Sequence, residues 1–146
     1  MDHRKQAVAY FESGYNCAQS VAAAFSDITG ISPAQSAKTV SAFGGGMGRM
    51  REVCGAVSGM LFVVSMRYGY DHPDPAAQKA LYAIVQELAE KFRQEAGSII
   101  CREILKNPPS DPKPTPRTAE FYASRPCTRM VALAAALLDE YIAQDP

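Results

Sequence analysis

The sequence predicts an all-α fold: a single compact bundle of about six or seven helices, carrying a glycine-rich loop and a proline-rich surface connection. Three observations predict it. Apolar residues recur at helical spacing along nearly the whole chain, no run of strict alternation marks a strand, and capping residues stand ahead of the periodic stretches. A chain of 146 residues is of a size that buries one core, so one domain over residues 1–146 is expected.

Residues 2–13 are expected as a first helix, stopped at Gly14. Asn16-Cys17-Ala18-Gln19 places a capping asparagine three positions ahead of a glutamine and opens a helix with Val21, Phe25 and Ile28 inside. Ser32-Pro33-Ala34-Gln35 repeats that pattern with a first-turn proline and starts a short helix running towards the glycines at 44–46. In the next helix, over about residues 54–68, Gly55, Ala56 and Gly59 form a face of small residues where another backbone can press close. Leu81, Ile84, Val85, Leu88 and Phe92 make an apolar stripe opposite Gln86, Glu87, Glu90 and Lys91, on a helix that starts at Asp74-Pro75 and ends at Gly97. Residues 106–117 hold five prolines in twelve residues and are expected as an extended surface connection. A last helix, over about residues 126–143, carries Met130, Val131, Ala134, Leu137, Leu138 and Tyr141 on one face.

Charge and hydropathy bound the function. Fifteen basic residues balance fifteen acidic ones, which argues against nucleic acid or an anionic membrane as the partner. The apolar run at 60–64 ends at Ser65 and is far too short for a membrane span. The start of the chain is charged and lacks an apolar leader, so a cytoplasmic protein is expected. In that reducing compartment four cysteines point to metal binding, redox chemistry or plain burial rather than to permanent disulfides.

Each of those cysteines falls in or beside the first turn of an expected helix: Cys17 after Asn16, Cys54 after the glycine loop, Cys101 after Ser98, Cys127 after Pro126. Unpaired N–H groups and the positive end of the backbone dipole favour thiolate there. Each also continues an apolar stripe, so all four are expected to point inwards and to be able to converge. One inward cysteine is more often packing than chemistry, yet four at helix starts weigh towards function. The gaps of 37, 47 and 26 residues contain no C-x-x-C and no haem-attachment motif, so any pair or cluster must be assembled by tertiary structure. Four thiolates together would suit zinc or an iron–sulfur cluster. Two together would suit a dithiol–disulfide couple, with three complete pairings open.

The loop "FGGGMGRMREVCG" sets Gly44, Gly45 and Gly46, with Arg49 and Arg51 behind them, ahead of a helix start. Free N–H groups there can cradle an anion, and Arg125 and Arg129 flank Cys127, two residues to either side. Arg102 adjoins Cys101. His3 and His72 are expected at the surface. Tyr10, Tyr15, Tyr68 and Tyr122 are candidates to border a pocket, although aromatic residues at helical spacing are more often core.

"GYNCAQSV" at 14–21, "FGGGMG" at 43–48, "CGAVSG" at 54–59, "GSIICREIL" around Cys101 and "RPC" at 125–127 together resemble the small four-cysteine family labelled C-GCAxxG-C-C, over residues 8 to 142. The central motif here reads Val53-Cys54-Gly55-Ala56 where the label has Gly-Cys-Ala. The resemblance implies that Cys17, Cys54, Cys101 and Cys127 are the family's four cysteines and that the role is redox. Three functions follow as expectations. The first is thiol–disulfide chemistry, of the kind a thiol-dependent oxidoreductase performs, with a redox partner or a small molecule. The second is a Cys-ligated zinc or iron–sulfur carrier. The third is a helical module that binds a small anion through Gly44, Gly45, Gly46, Arg49, Arg51, Arg125 and Arg129.

Overall fold

A computed structural model describes residues 2–144; Met1, Asp145 and Pro146, which the expected domain includes, lie outside the described residues. Among the described residues the chain is all-α, as expected, with nine α-helices: α1 (His3–Glu12), α2 (Cys17–Ala24), α3 (Ser26–Thr29), α4 (Pro33–Thr39), α5 (Gly55–Tyr68), α6 (Pro75–Ala96), α7 (Cys101–Ile104), α8 (Ala119–Ser124) and α9 (Cys127–Gln144). The excess over six or seven comes from the short α3, α7 and α8.

The caps work as the sequence indicates. The Gln19 N–H donates to Asn16 Oδ1 at 2.8 Å while Gln19 Oε1 accepts from the Asn16 N–H at 3.1 Å, which closes a capping box on α2. Ser32 caps α4 by accepting from the Gln35 N–H without the return bond of the expected box, because the Gln35 side chain turns to Thr39, and Asp74 caps α6 in the same one-sided way. One expected helix is interrupted. The Phe25 N–H bonds to Ala22 O at 3.3 Å, a tighter register than the α-helix, and the chain bends there into α3.

Helix α2 lies at the middle, packed by α1, α4, α5 and α9, while α1 also packs on α9 and α6 covers α5 and α9. Its small residues Ala18, Ala22, Ala23 and Ala24 are buried and permit that many neighbours. The small face of α5 meets this helix. A Cβ at Gly59 would lie 2.6 Å from Ala18 O, and one at Gly55 would lie 3.1 Å from Cys17 Cβ, so only glycine allows the backbones this approach. The stripes close the core: Phe11, Val21, Phe25, Met60, Leu88, Phe92, Val131 and Leu138 belong to one buried cluster, each stabilising the fold by roughly 1.5–3 kcal/mol.

His3 departs from the surface position expected of it. It is buried at 8% exposure and stacked on Phe25 with ring centroids 4.1 Å apart. Nδ1 stands 2.6 Å from Asp139 Oδ1 and Nε2 2.8 Å from Asp27 Oδ1. The ring is thus held by a carboxylate at each nitrogen. It ties α1 to α3 and α9. His72 is exposed, as expected.

Candidate functional site

The four cysteines open four helices: Cys17, Cys101 and Cys127 are the first residues of α2, α7 and α9, and Cys54 is the cap of α5. Two of these starts are fastened by a feature that no local pattern signals. Val53 and Ile100 form an isolated antiparallel bridge, in which the Cys54 N–H donates to Ile99 O at 2.7 Å and the Cys101 N–H donates to Glu52 O at 2.6 Å. Cys17 comes to the same place through the α2–α5 crossing at Gly55. All four are free thiols, Cys54 and Cys101 buried, Cys17 and Cys127 half-buried.

Two spaces meet at these sulfurs. An inner cavity of about 30 Å³ is lined by all four cysteines with Gly45, Gly46 and Met130 among its other walls. That is room for a water or two and for no organic substrate. An outer cleft of about 450 Å³ is lined by Cys17 and Cys127, by Gly44 and Gly45, and by Arg49, Arg51, Arg117 and Arg125. Cys17 and Cys127 therefore stand on the wall between the two, and chemistry on any molecule larger than water has to reach them from the cleft.

The proline-rich residues 106–117 form the extended connection expected, and they roof this cleft with Pro112 and Pro114. Arg49 holds them through Nη1 to Asp111 O at 2.7 Å and Nη2 to Thr115 Oγ1 at 2.6 Å; Arg51 does so through Nε to Pro109 O at 2.8 Å. Arg117, the last residue of that connection, is turned inwards. It donates to Phe11 O and Tyr15 O, each at 2.9 Å, and lies 4.4 Å from the Phe11 ring centroid.

A family model described as "Putative redox-active protein (C_GCAxxG_C_C)" matches residues 15–141. The chain belongs to this family. No match appears among curated proteins or among solved structures. The cysteines at 17, 54, 101 and 127 that the C_GCAxxG_C_C resemblance singled out are thus the ones that face the shared cavity. Among the described residues no helix is long and apolar enough to cross a membrane. Nor, among them, does any group of three or more His, Cys, Asp or Glu side chains stand placed to hold a metal ion.

Acidity separates the four thiols of this C_GCAxxG_C_C protein, contrary to the expectation that every helix start would favour thiolate. Cys127 is lowered to about 7, first by hydrogen bonding from Cys17 and then, against its burial, by Arg125, Arg117 and Arg51. Cys17 moves the opposite way, well above the usual thiol value, because it keeps the proton that Cys127 shares and because it is buried among other thiols. Burial pushes Cys54 up to about 12, overriding the N–H groups of Ala56 and Val57 at the helix start. Cys101 is raised by burial as well, despite Arg51 Nη1 at 3.7 Å from its sulfur.

The remaining candidates divide. Gly44 and Gly45 line the cleft and Gly46 the inner cavity, where a Cβ would meet Cys101 Cβ at 2.7 Å. Left-handed residues Gly45, Gly46, Met47, Gly48, Arg49 and Arg51 coil the loop so that the N–H groups of residues 47 to 52 bond to its own carbonyls or to Ala42 and Phe43. Arg125 lines the cleft, but Arg129 is exposed and does not: two residues from Cys127 is about 200° round the helix. Arg102 is paired with Glu52 outside the cleft. None of the four candidate tyrosines lines it; Tyr15 and Tyr122 act instead by holding Arg117 through a carbonyl and a hydroxyl.

Proposed function

We propose that the protein performs thiol–disulfide exchange, with Cys127 as the attacking thiolate and Cys17 as the resolving thiol. The observation that carries this reading is the position of the Cys17–Cys127 pair on the cleft wall, with one member made acidic by the other. In the first step Cys127 S⁻ attacks one sulfur of a disulfide R–S–S–R′, forming a mixed disulfide with R–S and releasing R′–S⁻, which takes the Cys17 proton. Cys17 S⁻ then attacks the Cys127 sulfur and releases R–S⁻. The substrate disulfide gains two electrons, and the protein loses two in forming the Cys17–Cys127 bond. Cys54 and Cys101, kept as thiols by burial, are a second dithiol that can exchange with that bond. A cytoplasmic thiol pool would return the pair to the reduced form.

The test uses the reduced full chain with one equivalent of a neutral disulfide, followed by peptide mass spectrometry without reduction. A Cys17–Cys127 link is expected, with a mixed disulfide trapped on Cys127 in Cys17→Ser and no reaction in Cys127→Ser. Four thiols that remain unreactive until the protein is denatured would refute it.

A further inference from the structure

Four arginines line the outer cleft and no carboxylate does. Arg49 is matched by Asp111 at 3.2 Å. Among the described residues Arg51, Arg117 and Arg125 have no carboxylate partner, while Glu52 is paired with Arg102 and Asp111 with Arg49. Carbonyls, rings and a hydroxyl satisfy the donors of Arg51 and Arg117 without cancelling their charge. Arg125 lies over the Phe121 ring at 5.3 Å. Arg51 is only 5% exposed, and a buried guanidinium with no opposite charge is costly unless something supplies one. Even with Cys127 ionised, the three cations leave the cleft with a positive excess to be matched.

We infer that the cleft is built to receive a small dianionic disulfide, whose acidic groups sit against Arg51, Arg117 and Arg125 while its sulfurs reach Cys127. This rests on the thiol-exchange reading above and adds the class of substrate. A space of about 450 Å³ is at the small end of ligand sites and takes a compact molecule. The same positive field that favours the Cys127 thiolate draws in the substrate, so one set of arginines serves binding and reactivity.

Three disulfides of one shape and different charge test it: 3,3′-dithiodipropionate (dianion), bis(2-hydroxyethyl) disulfide (neutral) and cystamine (dication). The rate at which each oxidises the reduced full chain at low ionic strength is divided by its rate with free 2-mercaptoethanol, which removes intrinsic electrophilicity. The dianion is expected to lead, the dication to trail, and the extremes to differ by roughly tenfold or more. High salt and Arg125→Gln should each compress that order; Arg117→Gln should do so too if it folds, and the salt series needs no variant. Equal normalised rates, or a faster dication, overturn the inference while leaving thiol exchange intact. If none of the three oxidises the protein, thiol exchange fails. Calorimetric titration of Cys127→Ser with the same three compounds then decides the binding claim: preferential uptake of the dianion sustains the receptor, and its absence overturns it.

Discussion

Replacing Cys17 with alanine is expected to raise the pH at which Cys127 becomes nucleophilic and to slow its attack near neutrality. Cys127 stands at about 7 against an ordinary 9.0, so about half of it is thiolate at neutral pH where a thiol at its ordinary value would be about 1% ionised. Hydrogen bonding from Cys17 is the largest cause; without it the arginines are left to oppose burial, and the midpoint returns towards the ordinary value. Complete return would cut the thiolate population about fiftyfold, but a more basic thiolate attacks disulfides faster, with a Brønsted slope of about 0.4–0.5, which restores roughly six- to tenfold. The net expectation is an attack roughly five- to eightfold slower. Stopped-flow release of thiopyridone from a neutral pyridyl disulfide measures it across the pH range, with mass spectrometry to locate the modified sulfur. A midpoint that stays near 7, or a variant that reacts as fast as the parent at neutral pH, would refute the shared-proton account.

Other expectations concern stability. Under reducing conditions the lowered pKa of Cys127 contributes stability that is present above the ordinary thiol value and lost as pH falls through about 7, whereas Cys54, raised to about 12, contributes stability that is full below the ordinary value and lost as pH rises towards 12. Urea midpoints should therefore rise from neutrality towards about pH 9 and fall beyond it, and a flat profile would contradict both assignments. His3→Ala removes the ring held between Asp27 and Asp139 and its stack on Phe25, and should lower the free energy of unfolding by about 2–4 kcal/mol, read by urea titration. Gly59→Ala would ordinarily favour a helix by about 1 kcal/mol, but its Cβ would stand 2.6 Å from Ala18 O. A net loss of roughly 1–3 kcal/mol in thermal or urea unfolding is expected as α2 and α5 are forced apart.

The parts of the fold that are legible from sequence are those written locally. Asn16 with Gln19 and Ser32 with Gln35 state where helices begin; the stripe from Leu81 to Phe92 states which side of α6 is inside; Gly55 and Gly59 state that a backbone comes close. What escapes is set by residues far apart in the chain. The Val53–Ile100 bridge leaves no periodic trace, because a single bridged pair needs no alternation. Nothing next to Arg117 in the chain signals the Phe11 and Tyr15 carbonyls that it reaches. The acidity of the thiols follows a contest between helix-start N–H groups and burial, and burial depends on the complete packing, which is why Cys54 and Cys127 diverge despite similar local settings. His3 reads as terminal and is buried because Asp27 and Asp139 come from two other helices to meet it.

Assembling one site from four widely spaced helix starts has a temporal side. A ribosome has made both Cys17 and Cys54 by roughly seventy residues before Cys127, an interval of several seconds at about 5–20 residues per second. Until then Gly55 can lay Cys54 beside Cys17 with Cys127, whose acidity defines the working pair, still unmade. Premature cross-linking of the two early sulfurs is the hazard that such a layout carries until the last helix is made.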